Sequence, residues 1–149
     1  MDWAAVLRGI VVELASGQDR AEQAARVAAL IRETGGYRWV GLYAVTDQEI
    51  AAVGWSGPGP PAHPRFPLTQ GLSGAAVADR RSMVVDDVAA DPPRVQWWAA
   101  WTWEAPSGTP FTQIDQRALE GCAATLTGLL VEGSAGMVRG HRSSAARVV

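Results

Sequence analysis

The sequence predicts an α/β chain of the α+β kind, one antiparallel sheet with flanking helices. Three observations carry this. Apolar residues recur at helical period twice in succession near the start. A run of aromatic and β-branched residues from Tyr37 to Trp55 then reads as a hairpin. After it a glycine-framed turn, Gly71-Leu72-Ser73-Gly74, opens a short helix leading to a strand that ends at Val84-Val85.

Trp3, Val6, Leu7, Ile10, Val11 and Leu14 share a helical face, and Gly17 ends that helix. Asp19 is the N-cap of a second helix, with Glu22 three residues on as in a capping box. This helix buries Ala24, Val27, Ala28, Leu30 and Ile31 and stops at Gly35-Gly36. Stripes of this spacing form core or a dimer seam. Tyr37 to Val45 is a strand, Thr46-Asp47-Gln48 a turn, and Glu49 to Trp55 the returning strand. The loop from Ser56 to Pro64 holds four prolines, which rule out a helix or a central strand. Phe66 to Leu68 starts the next strand.

Gly71 and Gly74 bracket Leu72-Ser73, where glycine permits positive φ or close backbone approach. Ala75 to Asp79 makes about one and a half helical turns. Ser82 to Val85 is a strand, Asp86-Asp87 turns the chain out of it, and Asp91-Pro92-Pro93 is a firm break. Thr112 caps the last helix, with Asp115 three residues on. Ile114, Leu119, Cys122, Ala123, Leu126, Leu129 and Leu130 give it one wide apolar face. From Gly133 no period remains, so residues 1–132 are expected to form a single domain and 133–149 a basic, disordered tail.

The bulk numbers fit that plan. A chain of 149 residues is one domain by length, and 48% apolar with 19% charged residues is a globular composition. The net charge of -2 gives no global field favouring nucleic acid or an anionic membrane. The single cysteine, Cys122, excludes an intramolecular disulfide and a cysteine metal cluster. No apolar run is long enough to span a bilayer and no cationic signal-peptide start is present, so the expected location is the cytoplasm.

Helix, helix, hairpin, loop, Gly71-Leu72-Ser73-Gly74, Val84-Val85-Asp86-Asp87-Val88, Asp91-Pro92 and a closing helix introduced by Phe111-Thr112-Gln113-Ile114-Asp115 form an order that resembles a GAF domain. The resemblance covers residues 20–92 and 111–131. It implies a ligand pocket above an antiparallel sheet and helices at its back. It departs between Pro92 and Phe111, where the family places two core strands behind a pocket lid. Only residues 93–110 are available, so the sheet is expected to be abbreviated there.

That segment holds Trp97, Trp98, Trp101 and Trp103, four of the seven tryptophans. Three readings compete. One is an aromatic ligand platform. Another is a core strand, against which the adjacent Trp97-Trp98 breaks alternation. The third, slightly preferred, is a frameshift: with tryptophan's single codon TGG, the run read one base earlier becomes (Val or Met)-Val-Gly-x-(Leu/Val/Met)-Asp-(Leu/Val/Met), which matches the Val-Gly-x-Leu-Asp-Val strand that the resemblance implies. That reading expects at least one of the four tryptophans to be unusually exposed.

Tyr37-Arg38-Trp39-Val40-Gly41-Leu42-Tyr43 also resembles the first strand of free-methionine sulfoxide reductases built on this domain. Their chemistry needs a thiolate and a resolving cysteine. Ser73 stands where the resemblance places a cysteine, and Cys122 lies on an apolar helix face, so catalysis is not expected. A thioether-linked chromophore lacks its cysteine too. His63 and His141 read as loop and tail surface, not haem ligands. Asp86, Asp87 and Asp91 read as turn caps, not metal ligands. No cofactor is expected.

The resemblance therefore points to binding. A pocket would draw on Trp39, Tyr43, Trp55, Leu72, Ser73, Val85 and Asp87, although each of them taken singly reads more readily as plain core packing. The expected role is a small-molecule sensor domain in bacterial signalling. No kinase, cyclase or DNA-binding element follows, so output would pass through a partner or a homodimer made by the terminal helices. The alternatives are a reductase relative without its cysteines and a degraded gene product without a ligand.

Overall fold

The computed structural model describes residues 2–79, 84–85, 112–126, 136–141 and 147–148. Helix α1 (Trp3–Leu14) is capped by Asp2, whose carboxylate accepts from the Ala5 amide at 2.9 Å. Helix α2 (Arg20–Gly35) is capped by Asp19, which accepts from the Ala21 amide at 3.1 Å, and closes on Gly36 in the left-handed conformation. Both N-caps satisfy amides that the helix itself leaves without partners. Gln23, only 7% exposed, faces back toward the end of α1. Its Nε2 donates to the Glu13 carbonyl at 2.9 Å, so an α2 side chain holds the C-terminus of α1.

Strands β1 (Trp39–Val45) and β2 (Glu49–Ser56) form the expected hairpin, with a register shift between Leu42 and Tyr43. β3 (Arg65–Pro67) pairs with the far edge of β2, and Arg65 and Glu49 form an ion pair across it. Helix α3 (Gly71–Asp79) follows, then β4 (Val84–Val85), α4 (Gln113–Thr125), β5 (Gly136–His141) and β6 (Arg147–Val148). The sheet runs β3-β2-β1-β5-β6-β4, and every pairing is antiparallel.

Alternation along β1 separates two apolar layers. Val40 and Leu42 face α1, α2 and α4, packing with Val6, Ile10, Val27, Ile31, Leu119, Cys122 and Leu126. Trp39, Tyr43 and Val45 face the other way, where they pack with Ile50, Phe66 and Ala76 of α3. Among the described residues the architecture is thus a helical layer, a sheet, and the short helix α3 on the far face.

Four expectations change. Val11 is 56% exposed, because it sits about 100° round α1 from Ile10 and off the Val6–Ile10 stripe. Ile114 is 68% exposed, since five residues before Leu119 is well round α4 from the Leu119, Cys122 and Leu126 stripe. α3 begins at Gly71, not Ala75: Gly71 takes φ 65°, and a Cβ on Gly74 would press into the Leu68 carbonyl at 2.5 Å, so both glycines belong to the helix's first turn.

The largest change concerns the tail. Residues 136–141 and 147–148 are strands, not a disordered extension. β5 lies beside β1, pairing Trp39 with His141 through Ala44 with Gly136. Two glycines in six residues give β5 little strand propensity of its own; the open hydrogen-bonding edge of β1 supplies what the local sequence lacks. The expected abbreviation across 93–110, the frameshift reading and the exposure of Trp97, Trp98, Trp101 and Trp103 all fall outside the described residues.

Candidate functional site

The face of the sheet under α3 gathers the aromatic residues that the sequence singles out. Trp39, Gly41 and Tyr43 occupy successive positions on that side of β1. A Cβ on Gly41 would overlap the Trp39 ring and come within 2.9 Å of Tyr43. The far end of the indole therefore occupies the space a Gly41 side chain would fill, and glycine is what leaves it room. The Trp39 Nε1 donates to the Gly59 carbonyl at 3.0 Å. A Cβ on Gly57 would also meet the indole, at 2.5 Å from Cδ1. The proline-rich loop thus clamps the ring from its open edge.

Tyr43 is buried and meets Phe66 edge-on, with ring centroids 6.0 Å apart. Trp55 pairs with Gly41 across the β1–β2 ladder, which places it on the same face, and it is 41% exposed. An exposed indole beside a buried one makes an apolar, aromatic surface partly open to solvent.

Ser73 lies in the first turn of α3 and is fully buried, and its Oγ finds no hydrogen-bond partner among the described residues. A buried hydroxyl left unsatisfied costs about 1–3 kcal/mol. Val85 pairs with Arg147, Arg147 with His141, and His141 with Trp39, so its strand position lies on the aromatic face. Leu72 opens α3 beside Ser73. Asp87 lies outside the described residues. The structure thus brings Trp39, Tyr43, Trp55 and the position of Val85 to one face and lays the helix of Leu72 and Ser73 over it.

Cys122 stands apart. It is fully buried in the helical layer on the opposite face of the sheet. Desolvation pushes its thiol up from 9.0 to about 11. At neutral pH only about one molecule in ten thousand would carry the thiolate. Among the described residues no group of three His, Cys, Asp or Glu side chains gathers as a metal site. No described helix is long and apolar enough to cross a membrane.

Sequence reasoning missed Gly41. Its signal was present: a glycine two residues from each of two aromatics in a strand leaves an open position between them on one face. It also missed the tail residues that share this face, because the tail was read as unstructured.

No protein-family model and no curated protein matches the chain. Solved structures do. The GAF domain of an Acinetobacter phosphoenolpyruvate-protein phosphotransferase aligns with TM-score 0.67 and 15% identity over 85% of this chain and 91% of that one. The phycocyanobilin-bound GAF domain of a cyanobacterial phytochrome aligns with TM-score 0.65 and 14% identity over 85% and 92%. The free methionine-R-sulfoxide reductase of Neisseria meningitidis, solved with its substrate, is 34% identical with TM-score 0.51, over 60% of this chain. The match spans about half of that reductase, 54% of its length.

Proposed function

For a chain that has the GAF fold, we propose a regulatory domain that binds a small molecule on the sheet face beneath α3 and acts in bacterial signal transduction. The observation that carries this is the aromatic surface of Trp39, Tyr43 and the half-exposed Trp55, with the Trp39 ring given room by Gly41 and held by the Gly57–Gly59 loop. Ser73, in the same helix α3, supports a ligand, since a bound polar group would satisfy a buried hydroxyl that has no hydrogen-bond partner among the described residues. Trp39, Tyr43, Trp55, Leu72, Ser73, Val85 and Asp87 are proposed as the ligand-binding set. Output passes through a partner or a homodimer, for which α1 offers the exposed Val11 and Val12.

A thermal-shift screen of cyclic nucleotides, amino acids and tetrapyrroles, followed through tryptophan fluorescence, tests the proposal. A hit should stabilise the protein, change its emission, and weaken on Trp55→Ala. A screen in which no compound shifts the melting temperature sinks it.

The identity to the Neisseria reductase favours a second reading, a reductase relative without activity. Two-thiol chemistry at this face lacks a nucleophile: the single cysteine is on the other side of the sheet with a raised pKa. Free methionine sulfoxide should therefore not be turned over with a thiol reductant. Turnover that survives Cys122→Ser would overturn the non-enzymatic reading.

A further inference from the structure

The proline-rich loop crosses the aromatic site as a segment held at both ends. At its start Arg32 Nε donates to Ser56 Oγ at 2.8 Å, so α2 fixes the last residue of β2. At its end the Pro64 carbonyl accepts from the Ala52 amide at 2.7 Å, and Arg65 continues into β3. Between these anchors, residues 57–59 lie against the Trp39 indole. The Gly59 carbonyl accepts its N–H, and a Gly57 Cβ would stand 2.5 Å from its Cδ1. Under this cover Trp39 is 9% exposed, against 41% for Trp55 on the same face.

The loop's freedom is concentrated where it meets the ring. Gly57 takes φ 152°, which residues with side chains rarely adopt, and nothing lies within 4 Å of where a Gly59 Cβ would stand. Pro58 sits between them, and Pro60, Pro61 and Pro64 fix φ through the rest of the loop. Beside the ring the described layer is apolar, made of Tyr43, Val45, Ile50, Phe66 and Ala76. An indole donor in such a layer needs an acceptor, and an uncharged one costs less to bring there than a charged one.

We propose that residues 57–63 form a strap across the site, whose Gly59 carbonyl competes with the uncharged acceptor oxygen of a flat, apolar ligand for the Trp39 N–H. Small rotations at Gly57 and Gly59 swing the carbonyl off the indole while both anchors hold. A ligand oxygen that takes its place restores the hydrogen bond, so opening costs little once the ligand is in. Apparent affinity is reduced by the fraction of molecules with the strap open. The ligand class is an uncharged aromatic carbonyl compound. The inference rests on the small-molecule site proposed above and adds its gate and its polar contact.

Nitrogen-15 NMR on the full chain tests it, with the Trp39 indole signal identified by its loss in Trp39→Phe. The Trp39 N–H should exchange with solvent through a local opening, at a rate nearly independent of low urea. The backbone amides of β1 should follow the urea-dependent opening of the sheet. Acetophenone and ethylbenzene then form a probe pair that differs in the carbonyl. Acetophenone should bind about threefold or more tighter and move the Trp39 indole and Gly59 amide signals together. Gly57→Ala drives a methyl into the indole at a φ that alanine avoids. It should speed indole exchange and tighten acetophenone about threefold or more. Pro60→Gly with Pro61→Gly, which loosens the strap away from Gly57, should act in the same direction. If the indole exchanges with the urea dependence of the β1 amides, the strap does not open and the inference falls. It falls too if neither probe binds, if ketone and hydrocarbon bind alike, or if both loop variants leave acetophenone affinity unchanged or lower. A hit in the wider screen alongside any of these results leaves the site standing without its gate. A screen in which nothing binds, these probes included, removes both.

Discussion

The Trp39 indole nitrogen donates to the Gly59 carbonyl at 3.0 Å, tying the first residue of β1 to the proline-rich loop twenty positions along the chain. This bond fixes the plane of a ring that would otherwise rotate off Gly41. Trp39→Phe should cost about 1–3 kcal/mol, from the lost bond and the smaller ring. Trp55→Phe, at a half-exposed position, should cost under about 0.5 kcal/mol. Urea unfolding of the two variants compares them, and equal losses would contradict the clamp.

Gly41 and Gly59 make a paired test. Gly41→Ala drives a methyl into the Trp39 ring and should destabilise by about 1–3 kcal/mol. Gly59→Ala meets nothing within 4 Å, and its φ is not positive. It should be neutral or stabilise by about 0.4–1 kcal/mol, by restricting the unfolded chain. Thermal melts would show the opposite signs.

Gln23 holds the α1 terminus through its amide donor. Gln23→Ala should lower stability by about 1–2 kcal/mol. Gln23→Glu should be worse at neutral pH, because a carboxylate cannot donate to the Glu13 carbonyl. Its deficit should shrink in acid, where the protonated form can donate. A deficit that does not change with pH would argue against a donor role.

Burial makes Cys122 a source of alkaline sensitivity. Its thiol loses its proton near 9.0 when unfolded and near 11 when folded. Below pH 9 both states hold the proton and stability is full. Between pH 9 and 11 the unfolded state ionises first, so stability falls with rising pH, by about 3 kcal/mol in total. Cys122→Ala should flatten that limb of the urea-midpoint profile. A thiol reagent should label native Cys122 only as fast as the protein opens.

Deleting residues 136–149 should do more than trim a tail. It exposes the β1 edge, whose N–H and C=O groups pair with β5 in the intact sheet. The truncated protein should aggregate or lose its cooperative melt, as light scattering and calorimetry would detect. A monomer with an unchanged melting temperature would show that β5 contributes no stability.

Much of the fold was legible because local signals agreed with the tertiary outcome. The α1 and α2 stripes, the Asp19 cap, the Gly36 stop and the Tyr37–Trp55 hairpin rest on periods of 3.6 and 2 that neighbouring residues report. Trp39, Tyr43 and Trp55 could be named as candidates for the same reason, and the ladder puts them on one face. β5 could not be read this way. Gly136, Gly140 and Arg139 carry no local strand signal, and what makes them a strand is a vacant edge roughly a hundred residues earlier.

The sheet order also sets a timetable. β1 and β2 leave the ribosome early as a hairpin, yet the strand that separates β1 from β6 and β4 is synthesised after α4. Until it emerges, β1 keeps a bare edge and its two apolar faces stand only partly covered. Closing the middle of the sheet last requires a long-range pairing with a high entropic cost. During synthesis the nascent chain therefore holds a sticky strand open for most of its length, and a holdase that shields β1 should raise the yield of folded protein more than any change in the early helices.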